Sequence, residues 1–166
     1  MKKLIPLVLA LALLAGCAVE GPRPPRTQLQ KRQMQTRVFE VKSEKLVMKA
    51  MVNVLQDEGF MIDLANLELG VLKASKEVNI ENPNERFFAI MASGNNARWK
   101  KNQKIECTAN VSKYGKNRIK VRVVFFSKIM DNLGGVVEIR HVESPAYYQE
   151  FFAKVDKSIF LAKENL

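Results

Sequence analysis

Apolar residues recur along the chain with two different periods, which separate candidate helices from candidate strands. Residues 44–58 repeat them at the i, i+3, i+4 spacing of an amphipathic helix, with Ser43 as N-cap and Gly59 as stop. Ser144 and Pro145 begin a second helix, which runs to about residue 163. The apolar stripes of the two helices consist of Val47, Ala50, Met51, Val54, Leu55, Tyr148, Phe151, Phe152, Val155 and Ile159.

Strict alternation of apolar and polar residues predicts the strands. Two long examples, 105–112 and 119–126, flank a hairpin turn at 114–117. Shorter strands are expected at 38–42, 60–64, 71–76 and 136–142, and connecting loops at 77–85 and 100–102. Residues 86–93 fit a short buried helix or a strand, and we favour the helix.

The fold class follows from how these apolar faces can be covered. Each antiparallel strand has one apolar face and each of the two helices has one apolar stripe. Packing the helix stripes against the apolar strand faces buries both sets of residues. This predicts an α+β fold, in which two amphipathic helices pack on one face of an antiparallel sheet in a helix-grip-like arrangement.

The N-terminus has the composition of an export signal. Lys2 and Lys3 precede the apolar run 4–14, which is too short to span a bilayer permanently. The run ends in Leu-Ala-Gly followed by Cys17, which resembles the lipobox of bacterial lipoproteins. That resemblance implies cleavage before Cys17 and acylation of this cysteine; the alternative is an ordinary secretory peptide that happens to contain a cysteine.

These boundaries divide the chain into three parts. Residues 1–16 are the expected signal peptide, 17–35 a lipidated cysteine with a flexible basic tether rich in Pro and Gln, and 36–166 a single α+β domain. We expect the domain to begin near Thr36.

Charge narrows the choice of partners. The formal net charge of +10 falls to +8 when Lys2 and Lys3 are removed with the signal. An exported basic protein does not normally meet nucleic acid, so the expected partners are an envelope protein, anionic lipid headgroups or peptidoglycan. The same charge can also be a solvated surface without a partner.

No residue set indicates catalysis. The single histidine, His141, has only weak acidic neighbours in sequence, and no nucleophile, phosphate-binding or metal-binding motif is present. We therefore expect no enzyme activity, cofactor or metal. Cys107, on the apolar face of a strand, is either a small buried hydrophobic residue or the site of an intermolecular disulfide.

Two basic clusters form the candidate partner surface. Lys120 and Arg122 share the polar face of one strand, with Glu106 expected across from them; they either dock an acidic partner or take part in ordinary cross-strand pairing. Trp99, the only tryptophan, lies in a predicted loop beside Lys100 and Lys101. It is either an interfacial or glycan-contacting anchor or a core residue at the sheet edge.

The chain from about Gln35 to Ala162 resembles a group of small Gram-negative envelope lipoproteins. The matching stretches are 36–39, 54–62, 69–71, 144–152 and 157–161. The order of helix, Gly-Phe, strand, Leu-Gly and strand also resembles the helix-grip modules of BamC, a lipoprotein of the outer-membrane β-barrel assembly machinery. The absence of aspartate at Ala18 implies, by the same resemblance, the periplasmic face of the outer membrane.

Together these features predict a lipid-anchored accessory or scaffold module of an envelope assembly. The alternative is a carrier of a lipid or another apolar ligand, held in a cavity between helix and sheet. Its expected lining residues are Phe87, Phe88, Met91, Phe125 and Phe126.

Overall fold

Residues 25–164, which the computed structural model describes, contain six strands and four α-helices. The expected α+β class is confirmed, since all strand pairs are antiparallel and helices pack against the sheet. The helices are α1 (Gln28–Met34), α2 (Glu44–Asp57), α3 (Pro83–Ser93) and α4 (Pro145–Lys163). The strands are β1 (Thr36–Phe39), β2 (Met61–Asn66), β3 (Val71–Asn79), β4 (Lys100–Lys113), β5 (Ile119–Asp131) and β6 (Val136–His141).

The long hairpin of β4 and β5 organises the sheet, whose strand order is β1-β5-β4-β3-β2 with β6 also paired to β5. We call the end with the 114–118 turn the proximal end. The opposite end, where β3 ends, β4 begins and β5 turns into β6, is the distal end. Because β4 occupies one edge of β5 along its length, β1 and β6 share the other edge, β1 beside Ile119–Arg122 and β6 beside Phe126–Met130.

Three contacts fill the gap between β1 and β6 on the edge of β5. The N–H of Val123 donates to the carbonyl of Gln35 at 2.8 Å, and the N–H of Phe125 donates to the hydroxyl of Tyr148 at 3.2 Å. The N–H of Val142 donates to the carbonyl of Phe125 at 2.9 Å. Backbone groups that would otherwise be buried without partners are thereby satisfied.

Helices α2 and α4 cover one face of the sheet, which we call the inner face. All ten residues of the two predicted stripes are buried, so these assignments are confirmed. Ser43 and Ser144 cap the helices as expected, accepting from the N–H groups of Leu46 and Tyr147, and Gly59 has a φ of 81°. Ring edges surround Phe125 at the centre, with centroids of Tyr147, Tyr148 and Phe151 at 4.9, 5.6 and 5.3 Å.

Cys107 lies in this core with 0% of its surface exposed. The expectation of a small buried hydrophobic residue is confirmed. The alternative of an intermolecular disulfide is wrong for the folded chain, because no second thiol can reach a fully buried sulfur. Burial in an apolar environment also raises the pKa of the Cys107 thiol to about 12, which suppresses the reactive thiolate.

Order begins earlier than the expected Thr36. Helix α1 lies inside the segment expected to be a tether and carries a capping box formed by Thr27 and Gln30. Upstream of it, Arg26 donates to the carbonyl of Glu143 at 2.6 Å. Lys31 forms an ion pair with the Glu143 side chain and lowers the pKa of that carboxyl. These contacts attach residues 26–35 to the domain.

Other local expectations need correction. A bulge between Ile62 and Leu64 turns Leu64 outward, because an extra residue shifts the side-chain alternation by one. Of the loop expected at 77–85, only residues 80–82 connect elements, because 77–79 end β3 and 83–85 begin α3. The expected loop at 100–102 begins β4. Residues 86–93 are helical as favoured, but α3 has no buried residue.

Candidate functional site

The outer face of the sheet, opposite α2 and α4, is open to solvent. None of the outer-face residues of β3, β4 and β5 is buried. Lys120 and Arg122 are exposed there, because they alternate with the buried residues Ile119, Val121 and Val123. The sequence prediction of a basic strand face is therefore confirmed at these two positions.

Glu106 does not lie across from that pair, and this part of the prediction is wrong. Lys120 pairs with Ser112 and Arg122 with Asn110, whereas Glu106 pairs with Phe126. The 114–118 turn fixes this register by placing Lys113 opposite Ile119. Glu106 instead forms ion pairs with Lys128 at 2.8 Å and Lys104 at 3.7 Å. The hydrogen bond from Lys128 is the main cause that lowers the pKa of Glu106.

The two exposed cations keep their charge available. The ammonium of Lys120 lies 5.4 Å from the ring centroid of Tyr114, and Arg122 donates to the side-chain oxygen of Gln35 at 3.4 Å. Neither forms an ion pair with any carboxylate of residues 25–164. Both charges remain free to meet an anionic partner.

Trp99 is a structural anchor of the distal end. Its indole N–H donates to Glu81 at 3.0 Å, its backbone N–H donates to the side chain of Asn132 at 3.2 Å, and Arg86 lies 5.7 Å above its ring. The side chain is half-buried and bridges the loop before β4 to the segment before α3. Lys100 and Lys101 are exposed at the start of β4.

The five candidate surface residues do not form one site. Lys100 pairs with Asp131, eleven positions along β5 from Lys120, which corresponds to about 36 Å. Trp99, Lys100 and Lys101 belong to the distal end, and Lys120 and Arg122 to the proximal half of the outer face. Cys17, the predicted lipidation site, lies outside the described residues.

Sequence reasoning missed Asp131, a buried carboxylate at the end of β5, where the turn to β6 begins. Its oxygens accept from the N–H groups of Leu133 and Gly135 at 3.0 and 2.7 Å and from Arg98 at 3.0 Å. The bond from Gly135 is the largest of the causes that lower the pKa of Asp131. The signal was present, since Asp at the first position of a Gly-rich turn typically binds the backbone two residues later.

The residues expected to line a carrier cavity are separated. Phe125 is buried in the core, Phe126 stacks on His141 on the outer face at 4.5 Å, and Phe87, Phe88 and Met91 are exposed on α3. The space beneath α4 beside Phe125 amounts to about 40 Å³. A larger groove of about 720 Å³ lies between α2 and α4, and its lining is mixed, with Lys49, Asp57, Glu58, Lys154 and Lys157 beside Val54 and Leu161.

In residues 25–164, no helix is long and apolar enough to cross a membrane. The same part of the chain contains no group of three or more His, Cys, Asp or Glu side chains placed to hold a metal ion.

Comparison with known proteins leaves the family open. No protein-family model and no curated protein matches the chain. Among solved structures it is similar to the adenylate sensor of AMP-activated protein kinase, crystallised with a ribofuranotide, at 10% identity over 75% of this chain and 94% of that chain, with a TM-score of 0.37. It is also similar to a DUF4468 family protein from Bacteroides ovatus, at 8% identity over 81% and 89% of the two chains, with a TM-score of 0.37. Similarity this distant carries no argument about function.

Proposed function

We propose that this chain is a lipid-anchored, non-catalytic accessory module on the periplasmic face of the outer membrane, which binds an acidic envelope protein. The anchor is Cys17, and the binding surface is the outer face around Lys120 and Arg122. The observation that carries the proposal is that this face is exposed and displays two cations that have no carboxylate partner among residues 25–164. The lipobox-like sequence before Cys17 supports the location.

The physical basis is electrostatic complementarity on a rigid support. Both cations project from the proximal half of β5, where β1 holds the strand on one side and β4 on the other. Their positions are therefore fixed before a partner arrives. Exposed charges of this kind raise association rates and select partners of opposite sign more than they add affinity.

The carrier alternative is the weaker proposal. Between helices and sheet, the interior beside Phe125 is filled by aromatic side chains. The remaining cavity of about 40 Å³ is far below the roughly 300–1,000 Å³ of typical ligand pockets. The five expected lining residues do not face a common space. An acyl chain would have to displace the core to enter it.

The test is in-cell photo-crosslinking with a photoreactive amino acid at Arg122. The matched control carries the same group at Lys157, a basic residue exposed on α4 in the helical layer. We expect one discrete protein adduct from position 122 that is absent from position 157, and K120E should reduce its yield by severalfold. Adducts that are identical at both positions, or no protein adduct at position 122, would contradict the binding surface.

The anchor is tested separately. We expect the mature wild-type chain to have the mass of an acylated protein and to fractionate with membranes. C17A should lose both properties. An unmodified mass for the wild-type chain would refute the anchor without bearing on the crosslinking result.

A further inference from the structure

Helix α3 turns its charged side toward the domain and its apolar side toward solvent. Glu85 accepts from the backbone N–H of Lys100 at 3.5 Å, and Arg86 lies over Trp99 at 5.7 Å. Phe87, Phe88 and Met91 are 59%, 68% and 73% exposed, and they fall within an arc of about 100° around the helix. A surface helix normally shows the opposite arrangement.

A second apolar group lies at the same distal end. Leu133 in the turn and Val136, Val137 and Ile139 in β6 are exposed. Asn132 connects the turn to the loop after α3 by three hydrogen bonds. It donates from its backbone to Trp99 and from its side chain to Ala97, and its side-chain oxygen accepts from the N–H of Trp99. The distal end therefore carries two exposed apolar groups, and exposed apolar patches are typical of interaction sites.

The charges beside α3 indicate what covers it. Lys100 and Lys101 follow the helix within eight residues and are exposed, as is Arg98, which is also paired with Asp131. Aromatic and other apolar side chains flanked by Arg and Lys are typical of protein surfaces that lie in the interface of an anionic bilayer.

The length of chain before the described residues fits the same partner. Eight residue positions separate Cys17 from Pro25, so the acylated cysteine lies at most about 29 Å from the start of the domain. Arg26 is held at Glu143, just beyond the His141–Phe126 pair. From Phe126 to Asp131 at the distal end is five positions, or about 17 Å. The anchor and α3 can therefore reach one bilayer.

We propose that α3 inserts Phe87, Phe88 and Met91 into the headgroup region of the anionic bilayer that holds the lipid anchor. The proposal rests on the anchor at Cys17. Insertion of α3 fixes the distal end on the membrane and leaves the outer face around Lys120 and Arg122 accessible. The domain then has two membrane contacts, which define its orientation as well as its distance from the bilayer.

The experiment uses the full mature chain on vesicles of phosphatidylethanolamine and phosphatidylglycerol. A single nitroxide is attached to M91C or, as the matched control, to M61C, since Met61 is 75% exposed on β2. Buried Cys107 does not react, and acylated Cys17 has no free thiol. Collision with oxygen and with a polar nickel complex reports the depth of each label.

We expect the label at position 91 to lie below the headgroups and the label at position 61 to remain in water. The added substitution F88S should move the position 91 label toward water. A label at position 91 that remains in water would overturn the proposal. This includes the outcome in which strong coupling between two nitroxides shows that a second copy of the chain, and not the bilayer, covers α3. Flotation and intact mass report the anchor independently, so a failed anchor and a failed helix contact are distinguishable.

Discussion

Replacing Tyr148 by phenylalanine removes one oxygen atom from the centre of the molecule. We expect this small change to lower the free energy of unfolding substantially. Tyr148 is buried, and its hydroxyl accepts from the N–H of Phe125 on the β5 edge that β1 and β6 leave open. Phenylalanine keeps the ring and its contacts with Phe125. The buried N–H of Phe125, however, loses its acceptor.

The expected magnitude follows from that unsatisfied donor. A buried polar group left without a partner costs about 1–3 kcal/mol. We therefore expect Y148F to lower the free energy of unfolding by about 2 kcal/mol. For a chain of this size, that corresponds to a fall in Tm of about 4–8 °C.

Tyr147 offers the matched control, since the same oxygen atom is removed one residue earlier. Its hydroxyl donates to and accepts from no group within residues 25–164, and its side chain is half-buried. Y147F should change the free energy of unfolding by less than about 0.5 kcal/mol. Urea unfolding followed by circular dichroism measures both variants. Equal losses in the two variants, or no loss in Y148F, would refute the role assigned to the Tyr148 hydroxyl.

Three further predictions concern single positions. G70A should cost several kcal/mol or prevent folding, because its Cβ would lie 2.1 Å from the carbonyl oxygen of Val111. G59A, with open space around it, should cost only about 1 kcal/mol of backbone strain. Equal unfolding midpoints of the two variants would contradict the steric explanation. The Cys107 thiol should resist maleimide at neutral pH until the chain unfolds, and rapid labelling of folded protein would show that its strand opens. The pKa of Asp131 is lowered below 3.8 in the folded chain. Its contribution to stability is therefore present above about pH 4 and is lost as the pH falls through the lowered value. D131N should flatten this acid-induced loss of stability, and an unchanged pH profile of the urea midpoint would refute the role of the carboxylate.

Local signals made most of the fold predictable. Ser43, Gly59, Ser144 and Pro145 mark helix ends through contacts within a few residues, and the periodicity between them selects the buried stripe. Helix α1 was missed although Thr27 and Gln30 form a capping box visible in the sequence. Its short, polar sequence has little apolar surface to bury, and its position depends on distant contacts with Glu143 and β5.

The candidate site was less predictable because it depends on register and orientation. Counting from the 114–118 turn places Lys120 opposite Ser112, whereas the sequence prediction placed Glu106 across from Lys120 and Arg122. The apolar residues of α3 were visible as a pattern. The orientation of the helix depends on two contacts, that of Glu85 with the first residue of β4 and that of Arg86 with the loop before β4. No local sequence rule predicts these contacts.

The divided edge of β5 has a consequence for the behaviour of many copies on one surface. A 13-residue strand with a free edge would be a template for strands of neighbouring molecules. Here that edge is covered by β1, by Gln35 and Tyr148, and by β6, so that the sheet ends on this side in two separate strands of four and six residues. Short, interrupted edges resist intermolecular strand pairing. Such protection matters most for a protein crowded in two dimensions, where neighbouring copies collide repeatedly in a shared orientation.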